Sequence, residues 1–142
     1  MIKTSTLIKP VSLTNKGFRD RVAQKLNSYN AKKIGHFNWK DLDLEAVDPK
    51  GKLMGGLVSG TYWGWLFVKM LWVDEKHRNK DIGTQLLQRA EDLARKRGCH
   101  HVHLDTFNFQ APEFYRKLGF KRFGVLKPFP KGSKRYFLYK KI

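Results

Sequence analysis

The stretch Trp65-Leu66-Phe67-Val68-Lys69-Met70-Leu71-Trp72-Val73 carries a single charge, which suits a central strand buried on both faces. After the polar segment Asp74 to Asp81, residues Ile82, Leu86, Ala90, Leu93 and Ala94 recur at helical spacing. That predicts an amphipathic helix over Ile82 to Arg97, with Gly98 as its stop. A buried strand that feeds a helix through a short loop lays the helix across a sheet. The centre of the chain therefore commits it to an α+β, or α/β-like, domain.

The flanking segments are expected to complete that sheet. Leu7 to Val11 reads as a short strand. Ser12, Thr14 and Asn15 offer caps for a helix over Thr14 to Asn27, with Phe18, Val22 and Leu26 on its apolar side and Lys16, Arg19, Arg21 and Lys25 opposite. Leu42 to Val47 alternates as a strand does, Asp48-Pro49-Lys50-Gly51 supplies a turn into Lys52 to Tyr62, and Trp63-Gly64 reverses the chain again. Later, His101 to Asp105 reads as a strand and Ala111 to Leu118 as a short helix ended by Gly119. Phe120 to Leu126 and Arg135 to Lys140 read as the last two strands. At 142 residues, 41% of them hydrophobic, these elements suffice for one domain over 1–142.

Apolar stretches are interrupted well short of the ~20 residues that a membrane span requires, so no span is expected. The first ten residues, Met1 to Pro10, lack the apolar core and cleavage site of a signal peptide. Cys99 is the only cysteine, which leaves no internal disulfide to form. Together these predict a cytoplasmic protein.

Charge constrains the partners. There are 29 Lys and Arg against 12 Asp and Glu, a formal +17. The excess sits at the ends: residues 1–35 hold eight basic residues and only Asp20, and residues 106–142 hold ten and only Glu113. Two readings follow. The basic ends attract an anionic partner such as RNA, or they are a solvated surface with a local attraction for a phosphate-rich ligand.

The segment Asp74-Glu75-Lys76-His77-Arg78-Asn79-Lys80-Asp81 narrows the second reading. A loop that delivers a strand to a helix N-terminus presents unpaired backbone amides and the positive end of the helix dipole. Lys76, Arg78 and Lys80 add positive charge, so the segment is either a phosphate site or an ordinary solvated turn.

Here the chain resembles the GNAT N-acetyltransferase superfamily, in an uncharacterised bacterial branch. Arg78-Asn79-Lys80-Asp81-Ile82-Gly83-Thr84 is similar to the family's acetyl-CoA loop, which runs Arg or Gln, two residues, Gly, one residue, Gly or Ala. Gly83 matches the second glycine, and Asp81 replaces the first. That departure puts a carboxylate where the pyrophosphate approaches backbone, and it bears on cofactor affinity. Downstream, Asn108, Ala111, Phe114-Tyr115 and Gly119-Phe120 match a second family motif. The resemblance spans roughly Leu53 to Ile142.

The resemblance implies a single domain with a central mixed, mostly antiparallel sheet flanked by helices, and a splayed parallel strand pair, Trp65 to Val73 with His101 to Asp105, at the coenzyme site. Acetyl-CoA is the implied co-substrate, held by Leu71, Trp72, Val73, Arg78, Asn79, Lys80, Asp81, Ile82, Gly83, Thr84, Asn108 and Pro112. Tyr115 is the implied donor to the departing thiolate, its other reading being a core aromatic beside Phe114. A backbone amide near Trp72 or Val73 polarises the acetyl carbonyl. The acceptor is a primary amine on a small molecule, a peptide or a protein, attacking directly in a ternary complex. Acetylation of an amine on RNA, such as an aminoacyl-tRNA, is the alternative the charge suggests. A non-catalytic binding module is the alternative that Asp81 suggests, and a homodimer is a family analogy.

The proton acceptor is open among Glu45, Asp74, Glu75 and Asp105. Cys99 with His100, His101 and His103 does not make a metal set, because adjacent strand residues point to opposite faces and no second cluster accompanies them. The aromatics Tyr62, Trp63, Trp65, Phe67 and Trp72 are expected in the core or lining the acceptor pocket.

Overall fold

A computed structural model describes residues 5–142. The described residues divide into two compact units that part between Phe37 and Asn38.

In the first unit, α1 spans Phe18–Ile34. It begins four residues later than the spacing predicts and runs seven residues further. The expected caps explain the late start: Ser12 Oγ and Thr14 Oγ1 bond each other at 2.8 Å, and Gly17 takes the N-cap position without a side-chain bond. Residues 7–11 form no strand, which corrects the expectation for Leu7 to Val11. Pro10 removes a ladder donor there.

In the second unit, β1 (Lys40–Asp41), β2 (Leu44–Val47), β3 (Leu53–Tyr62), β4 (Trp65–Val73), β5 (His101–Phe107), β6 (Lys121–Leu126) and β7 (Arg135–Lys141) form one sheet. The order is β1-β3-β4-β5-β7-β6, with β2 also paired to β3. All pairs are antiparallel except β4 with β5, giving the expected mixed, mostly antiparallel sheet. The strand expected over Leu42 to Val47 is split, because Leu42 N bonds Ser59 O at 2.9 Å and the Asp43 carboxylate accepts from Ser59 N at 2.9 Å. The Asp48 carboxylate builds the next turn, accepting from the amides of Lys50 and Lys52.

Helix α2 covers Ile82–Lys96, and α3 covers Pro112–Lys117, close to the helices expected there. Leu86, Leu87, Ala90 and Ala94 of α2 are buried against Leu57, Leu66, Val68, Val102 and Leu104. Each fully buried Leu or Val contributes roughly 1.5–3 kcal/mol of hydrophobic stabilisation, so this face of the sheet carries most of the unit's apolar driving force. Arg97, just past α2, donates to the carbonyls of Lys40 and Asp41 at 3.1 and 3.0 Å and fastens the short β1 to the helix end.

The expectation that β4 is buried on both faces fails: Trp65 and Phe67, facing away from α2, are only half-buried, and the far end is more open still. Leu66 and Val68 are buried, but Lys69, Met70 and Trp72 are exposed. The cause is the parting of β4 from β5 beyond Phe67.

Candidate functional site

β4 and β5 pair in parallel only at Trp65↔His101, Leu66↔Val102 and Phe67↔His103. Beyond Phe67 and His103 each strand continues, β4 six residues to Val73 and β5 four residues to Phe107. β4 stays paired with β3, and β5 with β7, through those stretches. The two parallel strands therefore part like a V, leaving facing backbone edges without each other. A bulge starts the divergence: Val58 pairs with Met70 and Ser59 with Val68, so Lys69 is an extra residue in β4. Bulges bend a strand and disrupt its ladder locally, which suits an opening between two otherwise continuous strands.

The open arm of β4 ends in the charged loop. Asp74 caps a 3-10 turn, Glu75–His77, accepting from the Lys76 amide at 3.4 Å and lying 3.3 Å from His77 Nδ1. Arg78 Nε donates to the carbonyl of Val73 at 3.3 Å, folding the side chain back over the end of β4. Asn79 and Asp81 are left-handed, at φ 63° and 60°. Asp81 is the N-cap of α2 and makes no side-chain cap bond. The first helical bond runs from Gln85 N to Asp81 O at 2.9 Å, so the amides of Ile82, Gly83 and Thr84 lie ahead of it. Lys76, Arg78 and Lys80 are all exposed around this helix start. A loop of this shape can hold a pyrophosphate, and Asp81 adopts the backbone angle that a glycine would supply. Gly83 has a packing reason: a Cβ there would come 3.2 Å from the Phe114 ring.

Tyr115 lies on α3 and is 8% exposed, with ring edges against Phe114 and Phe120 at 5.1 and 5.7 Å. Burial first, and then the charge of Asp105, push its pKa up to about 12. Asn108 is committed in part: its Oδ1 accepts from the Lys134 amide at 2.9 Å, and its own amide donates to the Lys134 carbonyl at 3.0 Å. Pro112 begins α3.

The proton-acceptor candidates do not converge. Asp74 is occupied by its own turn, Glu75 and Glu45 are exposed, and Asp105 is bonded to Arg135 at 2.9 Å through both Nε and Nη2. Cys99 belongs to the core, and burial raises its thiol pKa against an opposing pull from Arg97. His101 and His103 project from the other face of β5, which alternates half-buried and buried from His101 to Phe107.

A model of the acetyltransferase (GNAT) family matches residues 17–120, most of the chain. The chain belongs to the GNAT acetyltransferase family. It is 36% identical over 121 residues to an acetyltransferase of Agrobacterium fabrum, covering 85% of this chain and 88% of the relative. It is 38% identical over 98 residues to the blasticidin-S acetyltransferase of Streptomyces morookaense, covering 68% of this chain and 72% of that one. A crystal structure of an acetyltransferase from Bacillus cereus superposes with a TM-score of 0.85 at 32% identity, covering 94% of this chain and 98% of its own. This GNAT protein is thus an acetyl-CoA-dependent N-acetyltransferase. No helix among the described residues is long and apolar enough to cross a membrane.

His103, considered above only as a metal ligand, sits where the β4–β5 pairing ends. The His103 ring is stacked on Phe67 at 4.6 Å, and its Nε2 lies 2.7 Å from the Tyr62 hydroxyl. The alternation of His101, His103 and Asp105 against Val102, Leu104 and Thr106 was the available signal. It places the imidazoles on one face without saying what that face meets.

Proposed function

We propose that this GNAT enzyme transfers acetyl from acetyl-CoA to a primary amine on a small molecule or peptide, in one direct step, within a catalytic domain spanning 1–142 and acting in the cytoplasm. The observation that carries the reading is the parting of β4 and β5 after Phe67 and His103, with both strands still held by their outer neighbours. Acetyl-CoA supplies the activated acetyl group as a thioester. Leu71, Trp72 and Val73 on the open arm of β4 offer backbone to its pantetheine arm, and an amide of that arm stabilises charge developing on the carbonyl oxygen. Arg78, Asn79, Lys80, Asp81, Ile82, Gly83 and Thr84 receive the pyrophosphate through backbone amides and the helix dipole. Asn108 contributes its Nδ2 side, since Oδ1 is taken by Lys134. Pro112 lines the channel at the start of α3.

Tyr115 is assigned as the donor to the departing sulfur. With a pKa of about 12 it keeps its proton across the physiological range. A thiol titrates near 8.5, so outright loss of the Tyr115 proton to sulfur is uphill by about 5 kcal/mol. Tyr115 therefore acts as a strong hydrogen-bond donor to the developing thiolate. A net transfer is completed only as the proton shed by the attacking nitrogen returns to the phenol. The relative named for blasticidin S supports a small-molecule amine as the acceptor class.

Calorimetric titration with acetyl-CoA, alongside turnover of Tyr115→Phe on a panel of amines, tests the reading. Saturable binding is expected in both proteins, with kcat of the variant lower by roughly 10²–10⁴-fold. Absence of acetyl-CoA binding by the native enzyme overturns the whole assignment. Unchanged kcat in the variant overturns the role of Tyr115.

A further inference from the structure

On the sheet face opposite α2 the aromatic side chains Tyr62, Trp65, Phe67 and Tyr139 are half-buried. Strand pairing brings two rows of side chains onto it: Tyr62, Trp65, His101 and Lys141 in one, and Gly60, Phe67, His103, Tyr139 and Lys121 in the next. Gly60 is bare for a reason. A Cβ there would overlap the Trp39 ring, which lies across the gap. Trp39 is fixed in place by its Nε1 donating to the Asp41 carboxylate at 2.7 Å and by Lys69 Nζ over its ring at 4.3 Å. Its ring also leans on Tyr62 at 5.7 Å.

Between these walls is an open-sided cavity of about 690 Å³ lined by Tyr62, Trp63, Trp65, His103, Phe123 and Tyr139. That is within the usual size of a small-molecule site, and aromatic lining with a few fixed polar groups is its usual chemistry. Trp63 sits at the rim in a left-handed conformation, φ 43°. For a bulky side chain that conformation is strained, and such strain concentrates at ligand clamps.

A polar pair, Tyr62 with His103, is built into the lining. The imidazole of His103 is stacked on Phe67 and edge-on to Trp65 at 5.6 Å, so its orientation is set before anything binds. Its Nε2 meets the Tyr62 hydroxyl at 2.7 Å. His103 is also the last residue of β5 that pairs with β4, so the cavity and the opening between the parallel strands share their boundary.

The geometry points to this cavity as the acceptor site of the transfer reaction, taking a primary amine carried on a planar ring, with the Tyr62–His103 pair removing the amine's proton. The assignment rests on the acetyltransferase reading above. As the ammonium reaches Tyr62, its proton passes to the phenol oxygen while the phenol's own proton moves to His103 Nε2. The neutral nitrogen then bonds to the thioester carbonyl carbon, the carbon–sulfur bond breaks, and the second nitrogen proton ends on the coenzyme sulfur. His103 returns its proton to solvent. Atoms and charge balance without a further reactant.

The surroundings fit that role. Burial lowers the His103 pKa below its ordinary value, with Asp105 pulling the other way, so the ring waits neutral and gives an accepted proton up readily. Taking that proton from an ammonium is uphill and is drawn forward by attack of the neutral nitrogen. Burial raises the Tyr62 pKa, which keeps it a relay rather than an anion. The charged groups on the same face are Lys69, by its contact with Trp39, and, by strand pairing, Lys121, Lys141 and the Arg135–Asp105 pair, with Asp41 bonded to Trp39 and His101 stacked on Trp65. Lysines therefore rim an aromatic floor and disfavour a polycationic acceptor.

The test uses the intact enzyme with acetyl-CoA and two probe amines, 2-phenylethylamine and spermidine. At pH 7 the native enzyme is expected to favour 2-phenylethylamine at least tenfold in kcat/KM. His103→Gln and Tyr62→Phe are each expected to lose roughly 10²–10³-fold in kcat/KM at pH 7. The loss should shrink about tenfold per pH unit toward the amine's own pKa, while acetyl-CoA affinity by calorimetry stays within about twofold. Imidazole resonances of His103 are expected to shift when 2-phenylethylamine is added. A native-like pH profile in both variants, or parity between the two amines, overturns the proposal. Acetyl-CoA binding without turnover of 2-phenylethylamine overturns the acceptor site alone, whereas failure to bind acetyl-CoA overturns the reading beneath it.

Discussion

The closed and open ends of the β4–β5 pair are made from the same two strands and do opposite work. At the closed end, Trp65 to Phe67 and His101 to His103 share a parallel ladder, Leu66 and Val102 are fully buried, and the rings stack tightly. At the open end the ladder is gone, Met70 and Trp72 are 61% and 49% exposed, and the chain runs on into a loop with two left-handed residues. The difference does not follow from hydrophobicity alone, since apart from Lys69 the open arm of β4 is apolar too. It follows from one extra residue, Lys69, inserted opposite a regular β3. Burial is concentrated where the strands meet, and the exposed arm of β4 leads to the charged loop where they part, where the proposed function puts the coenzyme.

The largest expected effect is at the closed end. Leu66 is 0% exposed in the core between β4 and α2, so Leu66→Ala should destabilise the protein by about 2–5 kcal/mol. Thermal unfolding should register this as a lower Tm, with acetyl-CoA affinity of the folded fraction little changed. A large loss of affinity at unchanged Tm would mean that the two ends are not separable.

Next comes the alkaline range, which reports on the dry wall beside the open end. Tyr115 titrates near 12 in the native state and near 10 when unfolded, so the unfolded chain binds fewer protons between those values. Its contribution to stability is whole below pH 10 and is lost as pH rises through 12, by up to about 3 kcal/mol. Tyr115→Phe should therefore give a flatter stability curve than the native protein from pH 10 to 12 by denaturant unfolding. Identical curves would show that the phenol is hydrated and that the open end reaches further into the core.

How much of this contrast was readable beforehand depends on the range of the interaction concerned. Helix α2 was legible because Ile82, Leu86, Ala90 and Ala94 repeat one local period, and the Trp63-Gly64 reversal because it is set by neighbouring residues. Helix α1 was misplaced because Ser12 and Thr14 bond each other, a local alternative that capping statistics do not see. The left-handed backbone at Asp81 was compatible with its residue type. The Tyr62–His103 pair was not legible. It joins residues 41 positions apart, and its setting depends on Trp39 occupying the space above Gly60. The bulge at Lys69 was equally hidden, because a single charge in an apolar strand does not reveal its register.

At the loop, Arg78→Ala is expected to weaken acetyl-CoA binding about tenfold, roughly 1.4 kcal/mol, since it removes both a cation and the tie to the Val73 carbonyl. The weakening should diminish as salt is raised from 0.05 to 0.5 M if charge dominates. An effect independent of salt would assign Arg78 to holding the end of β4 in place, and the open end would then depend on its own scaffold more than on attraction for phosphate.

Asp81→Gly should produce the smallest change and the most informative one. Its carboxylate makes no cap bond, and its φ of 60° is the conformation that glycine adopts without cost. The substitution relieves backbone strain of less than about 1 kcal/mol in the native state, while the added flexibility of the unfolded chain costs a similar amount. Tm should hardly move. Removing a negative charge from the helix start, where the resemblance to the family puts a pyrophosphate, should tighten acetyl-CoA binding by about three- to tenfold. Tighter binding would mean that Asp81 tempers affinity for the coenzyme without altering the loop. Weaker binding would mean that the carboxylate holds the loop in its bound shape, and the open end would then owe its form to Asp81 as well as to the bulge at Lys69.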